Sequence, residues 1–217
     1  MSQPLVIAHH IMWTCYGWWL PNDLRGSTSN VIRNDLLREL GELHFGRKQV
    51  QPAGRDIRAF YSKAVGLLQH ELLQFTQMQF ETVANAFAEA IERHAYTCYA
   101  CVVMPDHVHL LLRKHKHLAE DMIEHLKDES VDAIRRAGVR PSDHPVWTQG
   151  LGWKVFLDHP DEVRRTISYI ERNPDSWRLP RQKYDWVKPY DGWPLHPGHS
   201  PNSPYVKALR AAGRYPR

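Results

Sequence analysis

His107 and His109 stand two residues apart in CYACVVMPDHVHLLLR, residues 98–113, where two apolar runs are joined by Met104, Pro105 and Asp106. On a β-strand that spacing puts both imidazoles on one side, where they can hold a divalent cation. Histidine is as common a bystander as a ligand, so the spacing alone also allows a pair of half-exposed rings at a strand end. Further on, Tyr169 and Asn173 lie one turn apart in a segment of helical periodicity. A tyrosine hydroxyl can serve as a nucleophile, but one beside a helix's apolar stripe is, with no other information, more often a core residue.

Positioning these side chains requires a sheet. Pro-Asp between β-prone runs signals a turn, so residues 98–113 read as strand, turn, strand. His107, His109 and Leu111 then share one face, and Val108, Leu110 and Leu112 the other. Runs this apolar belong in central strands covered on both sides, where an unpaired imidazole is costly to bury. Residues 5–16, LVIAHHIMWTCY, read as a first strand ended by Gly17. Thr76 with Gln79 is a capping-box pattern, followed at helical spacing by Phe80, Val83, Phe87 and Ile91. Leu118, Met122 and Leu126 mark a helix to about Ala137, stopped by Gly138. Residues 146–157 supply a further strand. Residues 161–173 form a helix closed before Pro174, with Val163, Ile167 and Ile170 as its apolar stripe and Glu162, Thr166, Tyr169 and Asn173 as a neighbouring polar strip.

The resulting order is that of an α+β, ferredoxin-like split β-α-β core with an antiparallel central sheet. A helical insertion occupies about residues 30–75, with Leu36, Leu37 and Leu40 in one piece, Val65, Leu68 and Leu72 in another, and a loop over 41–58 between them. The catalytic domain is expected over 1–174, and 175–217 form an irregular C-terminal extension.

At 217 residues, the chain suits one well-cored domain with elaborations. A formal charge of +4 and a pI near 9.0 accommodate a nucleic-acid partner without requiring one. No charged segment followed by an apolar run opens the chain, and no long apolar run follows, so the expectation is a soluble, cytoplasmic protein without a membrane partner. Cys98 and Cys101 have C-x-x-C spacing, but no second ligand pair follows at zinc-ribbon spacing. An odd offset on a strand sends the two thiols to opposite faces, so both read as packing residues.

The string MPDHVHLLL, residues 104–112, resembles the His-hydrophobic-His signature of the HUH single-tyrosine transposases, which include the REP-associated tyrosine transposases. The segment YIERNP, residues 169–174, resembles that family's tyrosine motif, and WLPND with RGS, residues 19–27, resembles a loop that follows the first strand in some members. The resemblance implies a ferredoxin-like domain in which His107 and His109 hold a divalent metal and Tyr169 attacks single-stranded DNA near a hairpin. The tyrosine keeps the 5′ phosphate and frees a 3′ hydroxyl, and the conserved bond energy lets another 3′ end rejoin. Asn173 occupies the place of a third polar ligand; some relatives carry glutamine there, with a longer reach. Two imidazoles and an amide leave positions open for phosphate and water and suit Mg²⁺ or Mn²⁺, manganese being the better match to nitrogen.

For contact with DNA, the candidates are Arg25 for phosphate, Trp18 and Trp19 for base stacking, and Lys127, Arg135 and Arg136 on the second helix. Turn packing for the tryptophans and a solvated face for the helix are the plain alternatives. In the extension, Trp177, Trp186 and Trp193 interleave with Arg181, Lys183 and Lys188, which suits either DNA contact or a tail packed across the domain; Tyr184 and Tyr190 are rival nucleophiles. A homodimer is compatible with the sequence. A hairpin-binding regulator without turnover and a hydrolase of small phosphoesters are the competing functions.

Overall fold

The computed structural model describes residues 6–193 and 204–213. Its centre is a four-stranded antiparallel sheet in the order β2-β3-β1-β4, built from β1 (Ala8–Thr14), β2 (Cys98–Val103), β3 (His107–Arg113) and β4 (Trp153–Leu157). Among the described residues, five α-helices accompany it: α1 (Gly54–Ala64), α2 (Gln77–Arg93), α3 (Ala119–Arg136), α4 (Pro160–Arg172) and α5 (Pro204–Ala211). None is long and apolar enough to cross a membrane.

The sheet separates two cores. Ile11, Trp13, Val108, Leu110 and Leu112 face α2 and α3, meeting Phe80, Val83, Phe87, Met122, Ile123 and Leu126. Ala8, Ala100, Val102 and Leu111 face α4, meeting Val163 and Ile170. Each large apolar side chain withdrawn from water contributes roughly 1.5–3 kcal/mol. Strand alternation therefore fixes which residues can reach the α4 side, and His107 and His109 are among them.

Local signals start and stop the helices as expected. Gln79 Oε1 accepts the Thr76 backbone N–H at 2.8 Å, forming the capping box of α2. His159 Nδ1 accepts the Asp161 N–H at 3.2 Å, and Pro160 opens α4 with a fixed φ. At the end of α2, Ala95 N–H donates to Glu92 O at 3.1 Å and Tyr96 N–H to Ile91 O at 2.9 Å, a Schellman closure. Ala95 occupies the left-handed position, φ 55°, where glycine is unstrained. Ala95→Gly should therefore stabilise the fold by about 1 kcal/mol, read as a raised denaturation midpoint; an unchanged or lower midpoint would show that the cap carries no strain.

Several boundaries differ from those read in the sequence. The strand anticipated over 146–157 is confined to Trp153–Leu157, because Gly150 and Gly152 take φ of 88° and 65° and turn the chain before it. A Cβ at Gly152 would lie 2.1 Å from Met12 O, so only glycine lets the turn approach β1. In the insertion, Leu36, Leu37 and Leu40 lie on a 3₁₀ turn, Asp35–Leu40. The second helix is α1, which begins at Gly54 inside the anticipated loop and continues as a 3₁₀ turn, Val65–Leu67; Leu68 and Leu72 lie beyond both.

Cys98 and Cys101 also break the simple alternation. A bulge between Cys98 and Ala100 adds a residue to β2, so Cys98 pairs with Leu112 and Cys101 with Leu110 and both thiols enter the α2/α3 core, not opposite faces. Both are buried and unbonded to each other, as packing residues.

Between residues 182 and 193 the extension packs as a tail against the domain. Lys188 N–H donates to Cys98 O at 2.8 Å, and the Gln182 amide brackets Val103, accepting its N–H at 2.9 Å and donating to its carbonyl at 2.7 Å. Trp186 packs on one core and Trp193 on the other, while Trp177 is exposed. Tyr184 hydrogen-bonds Gln182, and Tyr190 hydrogen-bonds Trp193 O.

Candidate active site

β3 lies between β2 and β1, so His107 and His109 emerge near the middle of the sheet on the α4 side. Their ring centroids are 5.0 Å apart. His107 Nδ1 is 2.5 Å from Oδ1 of buried Asp106, and among the described residues its Nε2 makes no hydrogen bond. His109 Nδ1 is 2.9 Å from His10 Nε2. When that bond is donated by His109, the Nε2 lone pair of His109 is available too. A hydrogen-bonded Nδ1 that fixes the ring and its tautomer is the usual support of a metal-ligating histidine. The donor set thus fits a divalent ion, with two imidazole nitrogens supplying part of its coordination shell.

His10 was not singled out in the sequence, although the His9-His10 dipeptide was in plain view. Its role depends on register: Met12 pairs with His109 and His10 with Leu111, which sets His10 diagonally beside His109 on the α4 face. Asp106 was read only as a turn residue. Burial holds His109 well below the usual imidazole range, reinforced by His107 and His10, and burial brings His10 down to about 4. Both rings are therefore neutral near pH 7, the form in which an imidazole nitrogen can accept a cation.

α4 brings Tyr169 to this pair. Its ring centroid is 5.6 Å from His109 and 6.0 Å from His10. Val163 and Ile170 anchor the helix to the sheet, and Tyr169, one position before Ile170, lies at the margin of that contact, half-exposed. Its hydroxyl makes no hydrogen bond to the described residues. Asn173 caps α4 one turn later; its carbonyl accepts from Ser176 at 2.8 Å, and its amide makes no hydrogen bond to either histidine. Tyr184 and Tyr190 make no ring contact with either histidine.

The loop after β1 forms the other flank. Trp19, not Trp18, approaches the pair: its ring lies 6.4 Å from His107, and the Arg25 guanidinium sits over it at 3.7 Å. Trp18 points inward, donating Nε1–H to Leu73 O at 2.8 Å and packing on Tyr61. Arg25 is held by buried Asp23 through Nε at 2.9 Å and Nη2 at 2.7 Å. The Tyr61 hydroxyl, from α1, donates to the same carboxylate and accepts Trp19 N–H at 2.8 Å. Burial and the Asp23 charge push the Tyr61 phenol up, keeping it neutral. Trp19 itself has φ 54°, a strained conformation for a bulky residue, which this network holds. The insertion thus braces the loop beside the histidines.

Lys127, Arg135 and Arg136 belong to the opposite layer. Lys127 Nζ donates to Thr148 O at 3.0 Å and Gly150 O at 2.6 Å, and burial lowers its pKa to about 8. Arg135 and Arg136 occupy the last turn of α3, where cations complement the helix dipole. None of the three is brought to the histidine pair.

His9, one residue before His10, points into the α2/α3 side. Both its nitrogens are buried without a partner among the described residues, and burial, with the Lys114 charge, lowers its pKa to about 4. The unfolded chain, with a histidine near 6.5, binds more protons between those values. Stability is full above about pH 6.5 and is lost as pH falls towards 4, by up to roughly 3 kcal/mol for this ring. His9→Leu should flatten that acid limb and add about 1 kcal/mol near pH 7. Urea midpoints at pH 7 and 4.5 test this; a variant with the parent's acid loss refutes it.

The family model described as "Transposase IS200 like" matches residues 67–173. Among solved structures, a REP-associated tyrosine transposase bound to a REP hairpin aligns over 100% of this chain and 87% of its own at 14% identity and a TM-score of 0.43. A candidate transposase from Deinococcus radiodurans aligns over 79% of this chain and 94% of its own, at 14% identity and a TM-score of 0.38. No curated protein matches the chain. The family match spans α2, the histidine hairpin, α3 and the tyrosine helix, and over that stretch the chain is similar to the IS200-like transposases, enzymes of DNA transposition.

Proposed function

We propose that this protein cleaves and rejoins single-stranded DNA beside a hairpin, with Tyr169 as nucleophile and a divalent ion, Mg²⁺ or Mn²⁺, held by His107 and His109. The observation that carries the reading is the Tyr169 ring 5.6 Å from His109, with the Nδ1 atoms of both histidines engaged by His10 and Asp106. An ion held by His107 and His109 would supply charge neutralisation and orientation of the scissile phosphate. The Tyr169 oxygen attacks phosphorus and gives up its proton; the bond from phosphorus to the 3′ oxygen breaks, and that oxygen leaves with its electron pair and takes a proton. A 5′-phosphotyrosine link and a free 3′ hydroxyl result, and attack by another 3′ hydroxyl reverses the step.

His10 and Asp106 act as positioning residues, holding the rings of His109 and His107. Asn173 is a candidate third ligand by its place on α4. Trp19 and Arg25 offer an aromatic face and a cation at the His107 edge, suited to an unstacked base and its phosphate. Trp19 borders a cleft of about 560 Å³ that also includes Arg33, Asn34 and Gln149. Lys127, Arg135 and Arg136 would meet DNA only along the α3 face. One chain supplies both tyrosine and histidines, so the reading needs no second subunit.

End-labelled oligonucleotides decide between this reading and hairpin binding without turnover. With Mn²⁺ present, the enzyme should cut a single strand flanking a hairpin and leave the fully paired duplex intact, with protein attached to the 5′ end of one product. Equal cutting of both substrates, or tight binding with no covalent product, would sink the proposal.

A further inference from the structure

A second group of imidazoles lies at the end of the sheet remote from the Pro105-Asp106 turn, on the α2/α3 layer. His94 caps α2, His117 precedes α3 and His125 lies within α3; each offers a ring nitrogen within 4.8 Å of the other two. All three are half-buried. The His94 and His125 rings stack at 3.8 Å and 5°. Tyr96 reaches into the group: its hydroxyl oxygen is 2.9 Å from His117 Nδ1 and 2.7 Å from His125 Nδ1.

The hydroxyl has one proton and can donate to only one of these rings. The other must donate its own Nδ1–H to the phenol oxygen, which leaves that ring an Nε2 lone pair with no assigned partner. The backbone fixes the arrangement. The Schellman closure around Ala95 aims His94 and Tyr96, and His115 Nδ1 accepts the His117 N–H at 3.2 Å, setting the turn that carries His117. Nearby carboxylates are already engaged, Glu129 by Arg93 and Asp121 by the Leu118 N–H.

We propose that His94, His117 and His125 form a second metal site, specific for a nitrogen-preferring cation of the Zn²⁺ class, with Tyr96 as the hydrogen-bonding residue that orients its ligands. Three imidazoles with an open fourth position match tetrahedral Zn²⁺, whereas Mg²⁺ demands oxygen ligands. The ion would tie the end of α2 to the start of α3, joining the helices that cover the back of the sheet.

The test uses untagged full-length protein carrying His107→Ala and His109→Ala, so that the other pair cannot contribute. Co²⁺, followed by visible absorption, should bind at one equivalent with the bands of a four-coordinate ion, be displaced by Zn²⁺ and resist excess Mg²⁺. Adding His125→Ala should weaken binding by more than about a hundredfold, and Tyr96→Phe by about tenfold; His144→Ala, outside the cluster, should change nothing. If His125→Ala fails to fold by circular dichroism, His94→Gln decides in its place. Absence of stoichiometric Co²⁺ binding, or full affinity in the folded ligand variant, overturns the proposal.

Discussion

Tyr169→Phe is expected to abolish strand cleavage and the covalent adduct, a loss of at least about a thousandfold, while hairpin affinity stays within about twofold. The two effects separate because affinity for DNA comes chiefly from phosphate neutralisation and base contact, whereas the bond-forming atom is a single phenolic oxygen. Its ring would remain against His109, so the packing changes little. Metal-ligand variants provide the contrast. His109→Ala removes a nitrogen and leaves the nucleophile, and Asn173→Ala removes a candidate amide; in the latter, excess Mn²⁺ should recover part of the activity. No amount of Mn²⁺ should restore an adduct to Tyr169→Phe. If it did, the nucleophile would be another tyrosine; a small-phosphoester hydrolase would instead keep its activity in Tyr169→Phe.

Asp23→Ala should be the most damaging substitution outside the histidine face, costing about 3 kcal/mol or more. Its carboxylate is 1% exposed and receives two bonds from the Arg25 side chain, one from the Arg25 backbone and one from Tyr61. Removing it leaves a part-buried guanidinium and a buried phenol without their acceptor, and frees Trp19 from its left-handed conformation. Asp35 with Arg38 is the control: that pair is exposed on both sides, and Asp35→Ala should cost no more than about 0.5 kcal/mol. Denaturation midpoints measure both. A loss below 1 kcal/mol for Asp23→Ala would mean that the insertion does not brace the loop; a true brace should also show faster proteolysis within residues 30–58 in the variant.

How much of this was legible in the sequence depended on how local each determinant is. The capping box of α2, the Pro105-Asp106 turn and the amphipathic stripe of α4 are set by neighbours within a few residues, and their elements lie where the pattern puts them. His10 required the register between β1 and β3, a pairing across almost a hundred positions that no local pattern encodes. Trp18 and Trp19 are adjacent and chemically alike; which one faces the histidines is decided by a positive φ and by Tyr61, a residue of the insertion. The bulge at Cys98 shows the same limit, because one extra residue reverses the parity on which strand reading rests. Lys127 illustrates another: a lysine on a helix reads as free to meet phosphate, but its ammonium is occupied by two carbonyls of a turn that two glycines bend towards it.

The Gln182 and Lys188 bonds to β2 have a consequence for self-association. An open sheet edge presents unpaired amides that invite a neighbour's strand, and a protein with two such edges can grow into a fibre. Here the extension shields the β2 edge. The other edge is β4, where Val155 and Phe156 are exposed. With the β2 edge engaged from within, strand addition among the described residues is left the β4 side, and association through that side alone would end at a pair.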